Sequence, residues 1–72
     1  MPVFEVFEDE ADLDEIYIRL KDQDAMVRRI AVLDLAETAE ANSVTALIDC
    51  LSDGSADVRL EAARSLESYD LP

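Results

Sequence analysis

A phrase written twice constrains this chain more than any other feature. LKDQDAMVRRIAVLDLA, from Leu20 to Ala36, returns 31 residues later as LSDGSADVRLEAARSLE, from Leu51 to Glu67. Leu20 aligns with Leu51, Asp22 with Asp53, Ala25 with Ala56 and Val27 with Val58. Arg28 aligns with Arg59, Ala31 with Ala62 and Leu35 with Leu66. Upstream, Leu13, Ile16, Tyr17 and Leu20 are spaced i, i+3, i+4, i+7, and Val44, Leu47, Ile48 and Leu51 keep that spacing. This is one face of an amphipathic helix, written twice.

A second stripe follows each first one. Val27, Ala31 and Leu35 recur at i, i+4, i+8, as do Val58, Ala62 and Leu66. Between the stripes lie the polar stretches Asp22 to Asp24 and Asp53 to Ser55. Asp24 and Ser55 are expected N-caps, and Asp12 with Glu15, and Asn42 or Ser43, are expected to open the other two helices. Gly54 suits a tight turn, but Gln23 at the equivalent place shows that glycine is not demanded. Each unit therefore reads helix, tight turn, helix, with helices predicted near 12–21, 25–38, 43–52 and 56–68. One hairpin cannot bury its own stripes, whereas a stacked copy covers them. The predicted fold is all-α: two stacked hairpins of an α-α superhelix, about 12–38 and 43–69, preceded by an arm over 1–11.

The string D-x-x-x-x-V-R-x-x-A-x-x-x-L, carried by Asp22, Val27, Arg28, Ala31 and Leu35 and again by Asp53, Val58, Arg59, Ala62 and Leu66, resembles the HEAT-like repeats of the phycobilisome-lyase type. The resemblance covers about residues 13 to 68. It implies that the turn aspartates Asp22 and Asp53 and the arginines Arg28 and Arg59 form a ladder of charge-assisted bonds between repeats. It also implies that the second helix of each hairpin lines an inner, concave face. Such repeats serve many proteins, so the family speaks to fold more than to role.

The chain carries 18 acidic and 6 basic side chains, a net charge of −12, and no histidine. That surface repels nucleic acid and anionic membranes, which leaves another protein, with a basic segment, as the expected partner. Excess acid also serves solubility alone, or a high-salt environment. Cys50 is the single cysteine, so no internal disulfide forms, which fits a reducing compartment. It is read as an inert thiol with no base to activate it. The start has no signal-peptide pattern, and the default expectation is a soluble cytoplasmic protein. The acidic run from Glu8 to Glu15 lacks the glycine of a calcium loop and is read as a solvated helix start. No catalytic residue, cofactor or metal is expected, and the chain is not read as an enzyme.

With Arg28 and Arg59 assigned to the ladder, the inner-face residues left for a partner are Arg29, Leu33, Glu37, Leu60, Glu61 and Arg64, with Asp34 and Ser68 beside them. Exposed apolar positions next to arginine are typical binding material. The leading expectation is thus a non-catalytic protein-interaction scaffold. The alternatives are an accessory subunit of a bilin-lyase-like assembly and a module that stacks on itself. Val3, Phe4, Val6 and Phe7 favour an ordered apolar contact, within the chain or with a second molecule, over a free tail. The apolar face beyond the last hairpin points to a homodimer or a further partner, or to a chain that continues.

Overall fold

The computed structural model describes residues 13–38 and 41–69. The expectations for the N-terminal arm, for Asp12 and for most of the acidic run lie outside these residues. Four helices occupy the described chain: α1 (Leu13–Arg19), α2 (Ala25–Thr38), α3 (Ala41–Cys50) and α4 (Ala56–Glu67). The fold is all-α, built as two helical hairpins, and the described residues include no strand.

The two hairpins turn by the same device. At the end of α1 the N–H groups of Lys21 and Asp22 donate back three residues to Ile18 and Arg19, both at 3.1 Å. At the end of α3 those of Ser52 and Asp53 do the same to Asp49 and Cys50, again at 3.1 Å. This tightened last turn satisfies carbonyls that the helix end would otherwise leave open. The turn aspartate then accepts from the backbone two residues on, Asp22 Oδ1 from Asp24 N–H and Asp53 Oδ1 from Ser55 N–H, each at 2.8 Å. That is the local bonding that makes Asp a turn residue. Gly54 sits outside the left-handed backbone region, and a Cβ there meets nothing within 4 Å.

The start of the following helix is less uniform. Asp24 caps α2 through its carboxylate, which accepts Met26 N–H at 2.9 Å. Ser55 has the extended backbone of an N-cap, but its hydroxyl makes no capping bond. A charged carboxylate is the stronger acceptor of the two. Helix α3 begins at Ala41, so neither Asn42 nor Ser43 opens it as expected. Ser43 is instead buried inside the helix, with its hydroxyl 2.8 Å from that of Thr38 at the end of α2.

The core consists of Ile16, Ala31, Val32, Leu35, Leu47, Val58 and Ala62, all fully buried. Burying each of the larger ones contributes about 1.5–3 kcal/mol. Helix α2 packs on every other helix and α4 packs on α2 and α3, whereas α1 and α3 do not pack on each other. The inner layer is therefore α2 beside α4, and the outer layer is α1 and α3.

Three burial expectations need correction. Ile48 and Leu51 stand 50% and 40% exposed. Their counterparts Tyr17 and Leu20 pack against the core and line the cleft between α1 and α3, whereas no described hairpin lies beyond α3. Val27 is only half-buried while its counterpart Val58 is fully buried. Val32, absent from both predicted stripes, is fully buried. A helix packed on three neighbours, as α2 is, needs a wider apolar arc than a single stripe.

Candidate functional site

The second helices determine what this molecule can present, because the inner layer carries both the ladder and the face in front of it. Arg28, in the first turn of α2, uses all three of its guanidinium nitrogens. Nε donates to Asp53 Oδ2 at 2.9 Å and Nη2 donates to Asp53 Oδ1 at 3.0 Å. Nη1 donates back to the carbonyls of Asp22 at 2.6 Å and Gln23 at 3.1 Å. A bidentate fork of this kind fixes both distance and angle between its partners. One side chain thus ties its own turn to the turn of the next hairpin. The pair is largely shielded, with side chains 18% and 13% exposed.

The charges respond to this arrangement. The Arg28 hydrogen bonds, above all, hold the Asp53 carboxyl below its ordinary range, and the Ser55 N–H and the charges of Arg28 and Arg59 add to that. Partial burial, second only to the Arg28 hydrogen bond, pulls the other way without reversing the shift. Arg28 is shifted upward, chiefly by the same hydrogen bond to Asp53.

Arg59 begins the same pattern and stops. Its Nη1 donates to the carbonyl of Asp53 at 2.7 Å, as Arg28 Nη1 does to that of Asp22. Its Nε and Nη2 make no hydrogen bond among the described residues, and the side chain is exposed. Asp22 is likewise exposed, with Oδ2 accepting nothing among them. Of the four ladder residues, the structure therefore joins Arg28 to Asp53 across the hairpins and leaves Arg59 and Asp22 at opposite ends.

The inner-face candidates separate into three groups. Arg29 and Glu61 meet across α2 and α4, with Nε donating to Oε1 at 3.3 Å, and the Glu61 side chain is only 12% exposed. Asp34 turns toward the outer layer, where Arg19 Nη2 donates to it at 2.8 Å. Leu33 (42% exposed), Glu37 and Arg64 stand in solvent. Leu33 and Arg64 lie 31 residues apart and so occupy matching places on the two parallel inner helices. Leu60, 53% exposed, matches Arg29 instead. Because Arg29 reaches from α2 toward α4, Leu60 points onward, away from α2.

Sequence reasoning missed Met26 and Ile30, which are 57% and 46% exposed. With Leu33 they make an i, i+4, i+7 row on the side of α2 opposite Ala31 and Leu35. The signal was in the spacing, since these three lie off both core stripes. On α4 the matching places hold Asp57, Glu61 and Arg64. The inner face is therefore apolar on one helix and charged on the next.

On the outer layer a cleft of about 400 Å³ lies between α1 and α3, lined by Tyr17, Leu20, Ala46, Asp49 and Cys50 among others. Burial raises the Cys50 pKa, and the charges of Asp53 and Asp49 raise it further. A thiol so placed stays protonated near neutral pH, which makes it a poor nucleophile. Among the described residues no group of three potential ligands gathers to hold a metal ion. No described helix is long and apolar enough to cross a membrane.

A family model for HEAT repeats matches residues 13–72. Comparison with curated proteins and with solved structures found no match.

Proposed function

Because the chain belongs to the HEAT-repeat family, we propose that it is a non-catalytic protein-interaction module that binds another protein on its inner face. HEAT repeats generally act as protein-interaction scaffolds, and the family fold is typically non-catalytic. The observation that carries the reading is the row Met26, Ile30 and Leu33, three large apolar side chains exposed side by side on α2. Burying such a row removes apolar surface from water, the main favourable term in association. Beside it, exposed Arg64 and Glu37 and the half-shielded Arg29–Glu61 pair supply a polar rim. An apolar centre with a polar rim and arginine at its edge is the composition of a protein-binding patch.

The partner is a basic, amphipathic segment. Its apolar side would cover Leu33 and its neighbours, and its cations would meet a chain of net charge −12. Reading the segment as a protein rather than a nucleic acid follows from the same charge, which repels phosphates.

The test is a titration with a Leu/Lys amphipathic helical peptide followed by amide NMR shifts. Shifts concentrated on α2 and α4, weakened by salt and lost in Leu33→Glu with the helical content unchanged, support the proposal. Shifts confined to the α1–α3 cleft, or binding that Leu33→Glu leaves intact, contradict it.

A further inference from the structure

The far side of the second hairpin is built to receive a hairpin that the described chain does not supply. The contacts between the two hairpins show what such a reception needs. Across the internal joint, Arg28 forks onto Asp53, and Arg29 pairs with Glu61. Advancing both joints by one repeat gives the contacts that a third hairpin would make. Arg28 becomes Arg59, and Asp53 takes the place that Asp22 holds in the first hairpin. Arg29 becomes Leu60, and Glu61 takes the place that Ile30 holds.

We propose that a second copy of this chain stacks head to tail on the first, with its α1–α2 hairpin against the α3–α4 hairpin of its neighbour. Arg59 of one copy forks onto Asp22 of the next, and Leu60 of one copy covers Ile30 of the next. Four observations meet here. Arg59 is already oriented by the Asp53 carbonyl at 2.7 Å, as Arg28 is by the Asp22 carbonyl at 2.6 Å. Its two remaining nitrogens and Asp22 Oδ2 have no partner among the described residues, and their charges are opposite. Asp22 is held in its turn by the same 2.8 Å backbone bond that holds Asp53. Finally, the ion pair of the internal joint is replaced by two apolar side chains, and both are exposed: Leu60 at 53% and Ile30 at 46%.

That replacement discriminates between occupants. An unrelated acidic turn would satisfy Arg59 but would not need Leu60 to be apolar. Ile48 and Leu51, 50% and 40% exposed, lie on the same side of the second hairpin and extend the apolar area. The joint is heterologous, so it does not stop at two copies but propagates into longer arrays. Leu33 and Arg64 stay open along such an array, while Ile30, the middle of the row proposed above as a partner site, is covered wherever a second copy stacks; the joint is read by self-association and the partner site by peptide binding.

The experiment is sedimentation across a concentration series, run at high ionic strength to screen the repulsion between acidic chains. The wild-type chain is expected to pass beyond a dimer as concentration rises. Leu60→Asp blocks one side of the joint and Ile30→Asp the other; each is expected to weaken association by about tenfold or more. Mixed together, the two variants restore a one-to-one dimer and nothing larger, because only one competent joint remains. Helical circular dichroism and melting of each variant establish that it is folded, and Arg59→Ala provides a joint-weakening change far less able to disturb the fold. A wild-type chain that stays monomeric throughout overturns the proposal. So does an association that stops at a dimer, one that survives Ile30→Asp or Arg59→Ala, or a mixture that fails to pair.

Discussion

The two hairpins share their turns and differ in what surrounds them. In the first, α2 packs against α1, α3 and α4, and Val32 is fully buried. In the second, the matching residue is Ala63, only half-buried. Arg28 spends its fork on Asp53, whereas Arg59 holds only the carbonyl of its own repeat's Asp53. The difference teaches how such a chain divides its information. Positions that repeat encode the hairpin and the fork that can join it to the next; positions that do not repeat, such as Val32 against Ala63 and Arg29 against Leu60, adapt each hairpin to its neighbours.

The sharpest way to break that division is to cut matching core positions. Leu35→Ala empties a fully buried site and is expected to cost about 2–5 kcal/mol in urea unfolding. Leu66→Ala, at the equivalent half-buried place, is expected to cost clearly less. Equal losses would mean that the first hairpin is no more enclosed than the second.

The arginines come next. Arg28→Ala removes a bidentate fork and two turn-stabilising bonds, so it lowers Tm by more than Arg59→Ala, which removes one bond to a carbonyl. A loss from Arg59→Ala as large as that from Arg28→Ala in dilute solution would put the two repeats on the same footing.

Acid sharpens the same contrast. Asp53 is depressed in the folded chain, first by Arg28, so the unfolded chain binds its proton more readily. The stabilisation from Asp53 is complete above the unfolded carboxyl pKa of about 3.9 and fades as pH falls below it. The stability gap between wild type and Asp53→Asn is therefore expected to hold steady near neutrality and to close below about pH 4. Comparing the two proteins removes the effect of the other acidic groups. A gap independent of pH would mean that the fork does not discriminate between the charged and neutral carboxyl.

The smallest effect belongs to the turns. Gly54→Gln copies the first hairpin into the second at a position with ordinary backbone and open space. It is expected to leave Tm unchanged or to stabilise by about 0.4–1 kcal/mol through the unfolded chain. A marked loss would show that the two turns are not equivalent.

Much of this was legible in the sequence, and particular residues show why. Hairpins are local objects, so the spacing of Leu13, Ile16, Tyr17 and Leu20, that of Val27, Ala31 and Leu35, and their copies were enough to give four helices. The middle of the second stripe, Ala31 and Ala62, went to the core as its period required. Val32 was not legible that way, because it lies off both stripes and α2 packs on α3 and α4 as well as on the partner in its own hairpin. Ile48 and Leu51 misled for the converse reason: they carry the apolar pattern of a covered residue without the cover. Spacing put Leu33 and Arg64 at matching places off the core stripes; the inner face was what the resemblance implied. The pairing of Arg29 with Glu61, and the turning of Asp34 toward Arg19, depend on how the hairpins approach each other, which periodicity does not encode.

The most direct measurement is a pair of double-mutant cycles in dilute solution, Arg28 with Asp53 and Arg59 with Asp22. If the repeated phrase locks one hairpin to the next, the first cycle gives a favourable coupling well outside error and the second gives none. A first cycle that comes out additive, or a second that couples as strongly as the first, would contradict the account.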